Sequence, residues 1–244
     1  DVAYAIQTTS DGGFIVAGNS QSNDGNVSGN HGGDDYWVVK LDNSGNIQWQ
    51  KSLGGSASDV VSSIQQTSDG GYIVAGNSNS TNGDISTNLG GYDYWVVKLN
   101  EIGNILWQKS FGGTYEDTLN SINTTADGGF IMAGNTYSND GNVTGNQGMW
   151  DYWAVKINST GNIQWQKTLG GSGDDIAASV LTASDGGYVV AGHSNSTDGN
   201  ITFNYGNFDY WVVKLSPDIL STPIYEKQTT VIYPNPTKGI FTIN

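Results

Sequence analysis

The sequence predicts an all-β chain built as four copies of one four-stranded sheet. Three observations carry this. The first is a repeat in strict register. Asp-Gly-Gly begins at Asp11, Asp69, Asp127 and Asp185, and Asp-Tyr-Trp at Asp35, Asp93, Asp151 and Asp209, each 58 residues after the last. Asp1, Asp59, Asp117 and Asp175 keep the same spacing, as do Trp49, Trp107 and Trp165. A period of this length is the mark of a stacked-repeat architecture. The second is composition: 35 glycines in 244 residues, much Asn, Ser and Thr, and little Glu, the balance of turns and strands rather than helices. The third is the pattern of one strand. Trp95, Val97 and Leu99 point one way, Tyr94 and Val96 the other, with Lys98 at the end. A sheet with one wet face alternates apolar and polar residues. Two apolar faces need a neighbour on each side, so the sheets are expected to pack face to face around an axis, as propeller blades do. A β-solenoid is the alternative, although its coils are usually shorter.

The units are 1–58, 59–116, 117–174 and 175–216. In the second, Val60 to Gln66 reads as the first strand and Tyr72 to Asn77 as the second. Ser68-Asp69-Gly70-Gly71 between them supplies a tight turn. Tyr94 to Leu99 is the third strand and Ile105 to Ser110 the fourth, linked through Gly103. Trp37, Trp95 and Trp153, and Trp49, Trp107 and Trp165, are expected in the core, because their period matches the blade. The fourth unit lacks the last strand: Ser216-Pro217-Asp218-Ile219 follows Leu215 where the other units continue toward tryptophan. All four prolines lie at 217, 223, 234 and 236, which marks a boundary near residue 216, a linker over 217–232 and a distinct segment over 233–244. A closed propeller commonly completes one blade from both chain ends. The array is therefore expected to continue upstream, and the tail to form an appendage with few contacts to the blades.

Charge excludes several partners. Nine lysines face 23 acidic residues, for a net charge of −14. No basic stripe exists for nucleic acid or an anionic membrane surface. No apolar run approaches a membrane span, and there is no cysteine for a disulfide. Asp1 to Ser10 has none of the features of a signal peptide.

The segment Val38 to Trp49 resembles the strand-turn-strand of quinoprotein-type propeller blades, and it recurs from Val96 and Ala154. The resemblance covers about a dozen residues per unit. It implies the fold but no quinone cofactor, since the family's arginine and adjacent cysteines have no counterpart. Thr9 to Gly13 resembles part of the Asp-box turn of sialidase-type propellers, with Val16 in place of the closing aromatic, and reads as a structural turn. Tyr233-Pro234-Asn235-Pro236-Thr237-Lys238-Gly239-Ile240-Phe241-Thr242-Ile243 resembles the start of the type IX secretion C-terminal sorting domain. Pro234, Asn235, Pro236 and Gly239 are its motif residues. The combination resembles secreted β-propeller repeat proteins of Bacteroidetes-type bacteria. It implies export by the type IX secretion machinery, and a place outside the cell or on the outer surface of a Gram-negative bacterium.

Chemistry is expected on one rim, where the long second-to-third loops, such as Ser20 to Asp34, meet the links between units. That rim collects Asp, Asn, Ser and Gly together with Trp150, Tyr205, Phe208, His31 and His193. The histidines read as solvated loop residues without a nucleophile partner, and no catalytic constellation is evident. Paired carboxylates such as Asp174-Asp175 could serve acid–base hydrolysis if the fold brought others close, but Asp1, Asp59, Asp117 and Asp175 recur in every unit. A recurring aspartate reads as a turn residue bonding backbone amides.

A calcium-type spacing is also present. Asp24, Asn26, Ser28, Asn30 and Asp35 occupy positions 1, 3, 5, 7 and 12 of a loop, with Gly29 at position 6. The other units place Asn82, Asp84, Ser86, Asn88 and Asp93; Asp140, Asn142, Thr144, Asn146 and Asp151; and Asp198, Asn200, Thr202, Asn204 and Asp209. Calcium there would be structural; the alternative is Asx-type turns. Function on these grounds is a non-catalytic scaffold or binding module for glycan or a surface partner. The alternative is a secreted propeller hydrolase or lyase acting on polysaccharide.

Overall fold

The computed structural model describes residues 1–217 and 231–233, and all of its regular elements are strands. The first sheet contains β1 (Val2–Thr8), β2 (Phe14–Ser20), β3 (Asp35–Leu41) and β4 (Ile47–Leu53). The second contains β5 (Asp59–Gln66), β6 (Tyr72–Ser78), β7 (Asp93–Leu99) and β8 (Ile105–Phe111). The third contains β9 (Asp117–Thr124), β10 (Phe130–Thr136), β11 (Asp151–Ile157) and β12 (Ile163–Leu169). The fourth contains β13 (Asp175–Thr182), β14 (Tyr188–Ser194), β15 (Asp209–Leu215) and β16 (Val231–Tyr233). Each sheet is an antiparallel meander in chain order. The inner strands β1, β5, β9 and β13 stand side by side in series. The fold is a partial, propeller-like array of four blades, as the repeat predicts.

The blades pack through the same positions at every junction. Ile15, Ala17, Tyr36, Val38 and Leu53 of the first meet Val61, Ile64, Tyr72, Val74, Ile85, Trp95, Val97 and Leu99 of the second. The other two junctions repeat this set 58 and 116 residues on. Both faces of β7 are therefore buried, for the reason its sequence pattern suggests. Each junction is pinned by a tyrosine. The Tyr36, Tyr94 and Tyr152 hydroxyls donate to the carbonyls of Trp95, Trp153 and Trp211 at 3.1, 3.0 and 2.9 Å. Their rings lie tilted on those indoles at 4.7, 4.6 and 4.5 Å. The approach requires glycine: a Cβ on Gly76, Gly134 or Gly192 would stand 2.8, 2.7 or 2.6 Å from the tyrosine hydroxyl.

Trp95 and Trp153 are fully buried, as expected of core residues. Trp49, Trp107 and Trp165 are half-buried and cover the next blade at Tyr72, Phe130 and Tyr188. The outward faces of the end blades have no neighbour among the described residues. Ile6 is 69% exposed where Ile64 is 4%, and Tyr210 is 74% exposed where Tyr94 is 0%.

The segment from Asp175 to Leu215 contributes three strands to the fourth blade, as its shortened sequence implies. The outer position is taken by β16, which pairs Tyr233 with Val212 and Val231 with Lys214. One short stretch of the tail thus joins the array, a pairing the repeat does not encode. Pro234, Asn235, Pro236 and Gly239 lie outside the described residues.

The Asp-Gly-Gly turns hold buried lysines, a contact the sequence reading did not foresee. Lys40, Lys98 and Lys156 are buried, and their ammonium groups reach Asp11, Asp69 and Asp127 at 2.8, 2.9 and 2.8 Å. Partial burial pushes the Asp69 and Asp127 carboxyls up, but hydrogen bonds from threonine, lysine and glycine outweigh it and bring both down to about 2. A carboxylate depressed below its unfolded value of about 3.9 stabilises the fold above that value and loses the contribution as pH falls through the folded one. Stability should therefore drop between about pH 4 and pH 2, as followed by thermal melting. The drop should be smaller in a Lys98→Met, Lys156→Met variant, whose aspartates have lost those partners.

Candidate functional site

The rim forms as anticipated: each link lies against the second-to-third loop of the blade it enters. Ser56, Ala57 and Ser58 amides donate to Asn82 Oδ1, Ser80 Oγ and Asn79 Oδ1 at 2.8, 3.0 and 2.8 Å. The recurring aspartates do bind turn amides, with Gly55, Gly113 and Gly171 donating to Asp59, Asp117 and Asp175 at 2.7, 2.7 and 2.8 Å.

The calcium-spaced residues of each loop point in several directions. In the second unit Asn82 and Asp84 accept amides of the preceding link, and Ser86 accepts the Gln108 side chain. Asn88 reaches back to the Ser78 and Gly91 carbonyls, and Asp93 accepts the Leu89 amide. Asp140 and Asn142, and Asp198 and Asn200, repeat the first pair of contacts. Asn30, Asn146 and Asn204 repeat the reach of Asn88. Among the described residues no three His, Asp or Glu side chains gather into a metal-holding group.

His31 bonds Asp35 through both its amide and its ring, at 2.9 and 2.8 Å. His193 departs from the loop expectation: it lies in β14, half-buried, with its ring edge-on to Phe208 at 4.9 Å.

The repeat is broken at the second junction. Between the second and third blades, Gly91, Thr114, Tyr115, Glu116, Tyr137 and Trp150 line a cavity of about 390 Å³. Tyr137 is the centre of an aromatic strip, 5.9 Å from Tyr115 and 5.5 Å from Trp150, edge to face with each. Tyr115 and Tyr137 are 59% and 41% exposed, so both rings are open to solvent. Thr114 is held by Asp140, whose carboxylate accepts its amide at 2.7 Å and also its hydroxyl. The equivalents of Tyr115 are Ala57 and Gly173, and those of Tyr137 are Asn79 and Asn195. Those asparagines bond the link amides of Ser58 and Asp174 at 2.8 and 2.6 Å. The third unit gives up that structural side chain for a tyrosine. Sequence reasoning named Trp150 but missed Tyr115 and Tyr137; aligning the four units column by column would have exposed both.

A second feature recurs instead of breaking symmetry. Asp93 and Asp151 are fully buried at the outer end of one blade and face Asp117 and Asp175 of the next, also fully buried. Burial, reinforced by the facing charge, pushes the Asp93 and Asp151 carboxyls up to about 7. Asp35 and Asp59 form the equivalent pair at the first junction, with His31 beside Asp35.

No protein-family model matches the chain, and no curated protein does. Among solved structures it is similar to a Bacteroides caccae protein of unknown function, at 12% identity and a TM-score of 0.49. The match covers 95% of this chain and 60% of that one, so the chain spans less than two thirds of that protein.

Proposed function

We propose that the chain is a non-catalytic binding module that recognises carbohydrate in the cleft of Tyr115, Tyr137 and Trp150, outside the cell after export by the type IX route. The observation that carries this reading is the aromatic strip, whose Tyr115 and Tyr137 are replaced by Ala57 and Asn79 at the first junction and by Gly173 and Asn195 at the third. A pyranose presents a face of C–H groups, which suits the electron-rich face of an indole or phenol, while its hydroxyls seek polar neighbours. Thr114 and Glu116 are the polar groups at hand. Retaining and inverting glycoside hydrolysis generally use two carboxylic groups about 5 to 10 Å apart across the scissile bond. The cleft lining holds one, Glu116, which favours binding over the hydrolase reading. Export rests on the resemblance of residues 233–244 to a sorting domain.

A glycan array followed by calorimetry on the best saccharide tests this. Trp150→Ala should weaken binding at least tenfold, about 1.4 kcal/mol or more, and Tyr137→Ala similarly. Trp49→Ala, at a distant repeat position, should leave affinity unchanged. Absence of any saccharide ligand, or binding indifferent to Trp150, would refute the assignment. Polysaccharide cleavage abolished by Glu116→Gln would establish the enzyme instead.

A further inference from the structure

We infer that the two end blades form a docking pair for a second copy of this chain: the outward face of the fourth blade seats on the outward face of the first blade of another molecule. The structure already contains this kind of interface three times. At each junction one blade delivers a tyrosine, and the next receives it beside a glycine and a tryptophan carbonyl. The receiving half recurs, unfilled, in the first blade. Gly18 pairs with Trp37 as Gly76 pairs with Trp95. A Cβ on Gly76 would meet the Tyr36 hydroxyl, whereas the atoms nearest a Cβ on Gly18 all belong to Val2 and Ala3. The delivering half recurs, unused, in the fourth blade. Tyr210 is the equivalent of Tyr94 and Tyr152. Its ring stands in solvent, and its hydroxyl bonds nothing among the described residues.

The surroundings of the two halves match as well. Ile6, Phe14, Val16 and Trp37 occupy the positions of Ile64, Tyr72, Val74 and Trp95, which receive the preceding blade, and each is more exposed than its counterpart. Val189, Ala191 and Val212 occupy the positions of Ile131, Ala133 and Ala154, which meet the following blade, and they too are partly uncovered. Seating one face on the other removes both from water, the same drive that joins the sheets within a chain. Asn19 and Asn77 accept the Val61 and Leu119 amides across the first two junctions, at 2.8 and 2.5 Å. In the new contact the amide is that of Ala3 and the acceptor is His193, whose neutral ring offers a nitrogen lone pair. Leu181 stands where Gln7 and Gln65 accept amides of the next blade, so that bond is exchanged for apolar contact. The contact joins two different surfaces and is heterologous. Copies therefore add head to tail, leaving a free face at each end unless the assembly closes into a ring.

Analytical ultracentrifugation of the 244-residue chain at physiological ionic strength, where repulsion from its net charge of −14 is screened, tests this. Mass should rise above one chain as concentration increases toward about 1 mM, the weak end of specific association. Ile6→Lys blocks the receiving face and Tyr210→Glu the delivering one. Both residues are exposed, so both variants should fold, with thermal melting as the check. Each variant alone should remain one chain. Mixed in equal amounts they should pair, because one keeps an intact fourth blade and the other an intact first blade, and growth should stop at two chains. Tyr210→Phe, which removes only the hydroxyl, should weaken association about fivefold. A wild-type protein that remains one chain at every concentration would overturn the inference, leaving these faces to a further blade of the same repeat. So would dimers of either variant by itself, since a face that pairs with its own kind needs only one end of the chain.

Discussion

Trp153→Ala should lower the unfolding free energy by about 4 kcal/mol, the range for truncating a buried large aromatic. Trp153 is 0% exposed at the second junction. Its indole packs against Tyr94 at 4.6 Å, and its Nε1 donates to Gln166 at 2.9 Å. Truncation opens a cavity between two rigid sheets, which cannot collapse into it without breaking strand pairing, and it leaves the Gln166 oxygen without that donor. The same change at Trp37 serves as control. Trp37 is the equivalent residue on the outward face of the first blade and is only half-buried, so about 1 kcal/mol should be lost there. Urea unfolding of the two variants checks the contrast. Equal losses would mean that packing between blades is not what stabilises the array.

Gly134→Ala should cost about 3 kcal/mol, at the upper end of overpacking effects. The added methyl would meet the Thr118 carbonyl on the neighbouring inner strand and lie 2.7 Å from the Tyr94 hydroxyl. Neither can yield cheaply: one is backbone held in a ladder, the other is the hydroxyl bonded to the Trp153 carbonyl. Adding Tyr94→Phe removes the hydroxyl and should recover part of the loss. The double-variant cycle separates the hydroxyl clash from the backbone clash. If Tyr94→Phe recovers nothing, the tyrosine is not what excludes a side chain at this glycine.

The blade architecture was legible because it is written four times. The 58-residue period sets the unit, and the two apolar faces of β7 require a neighbour on each side. Strand limits differ from expectation by about one residue at the junction ends, as at Asp59, Ser78, Asp93 and Phe111, where the rim contacts extend the ladder. Features that join two units were harder to see. Nothing in one copy shows that Asp93 faces Asp117, or that the Tyr94 hydroxyl finds the Trp153 carbonyl; these contacts exist only once the sheets are stacked. Lys98 reads as the polar end of a strand, although folding turns it toward Asp69. The cleft was missed for the opposite reason. Attention to the shared pattern passes over Tyr115 and Tyr137, which are informative because they depart from it.

The unmatched faces of the first and fourth blades bear on how the array comes apart. Each blade's cohesion comes mainly from its immediate neighbours, so stability adds along the chain as an intrinsic share per sheet and a coupling per junction. The second and third blades have two couplings each; the outer ones have one. Taken as these four blades alone, opening begins at Ile6 or at Tyr210 and moves inward like a zipper, and the junction around Trp153 and Tyr94 is the last to part.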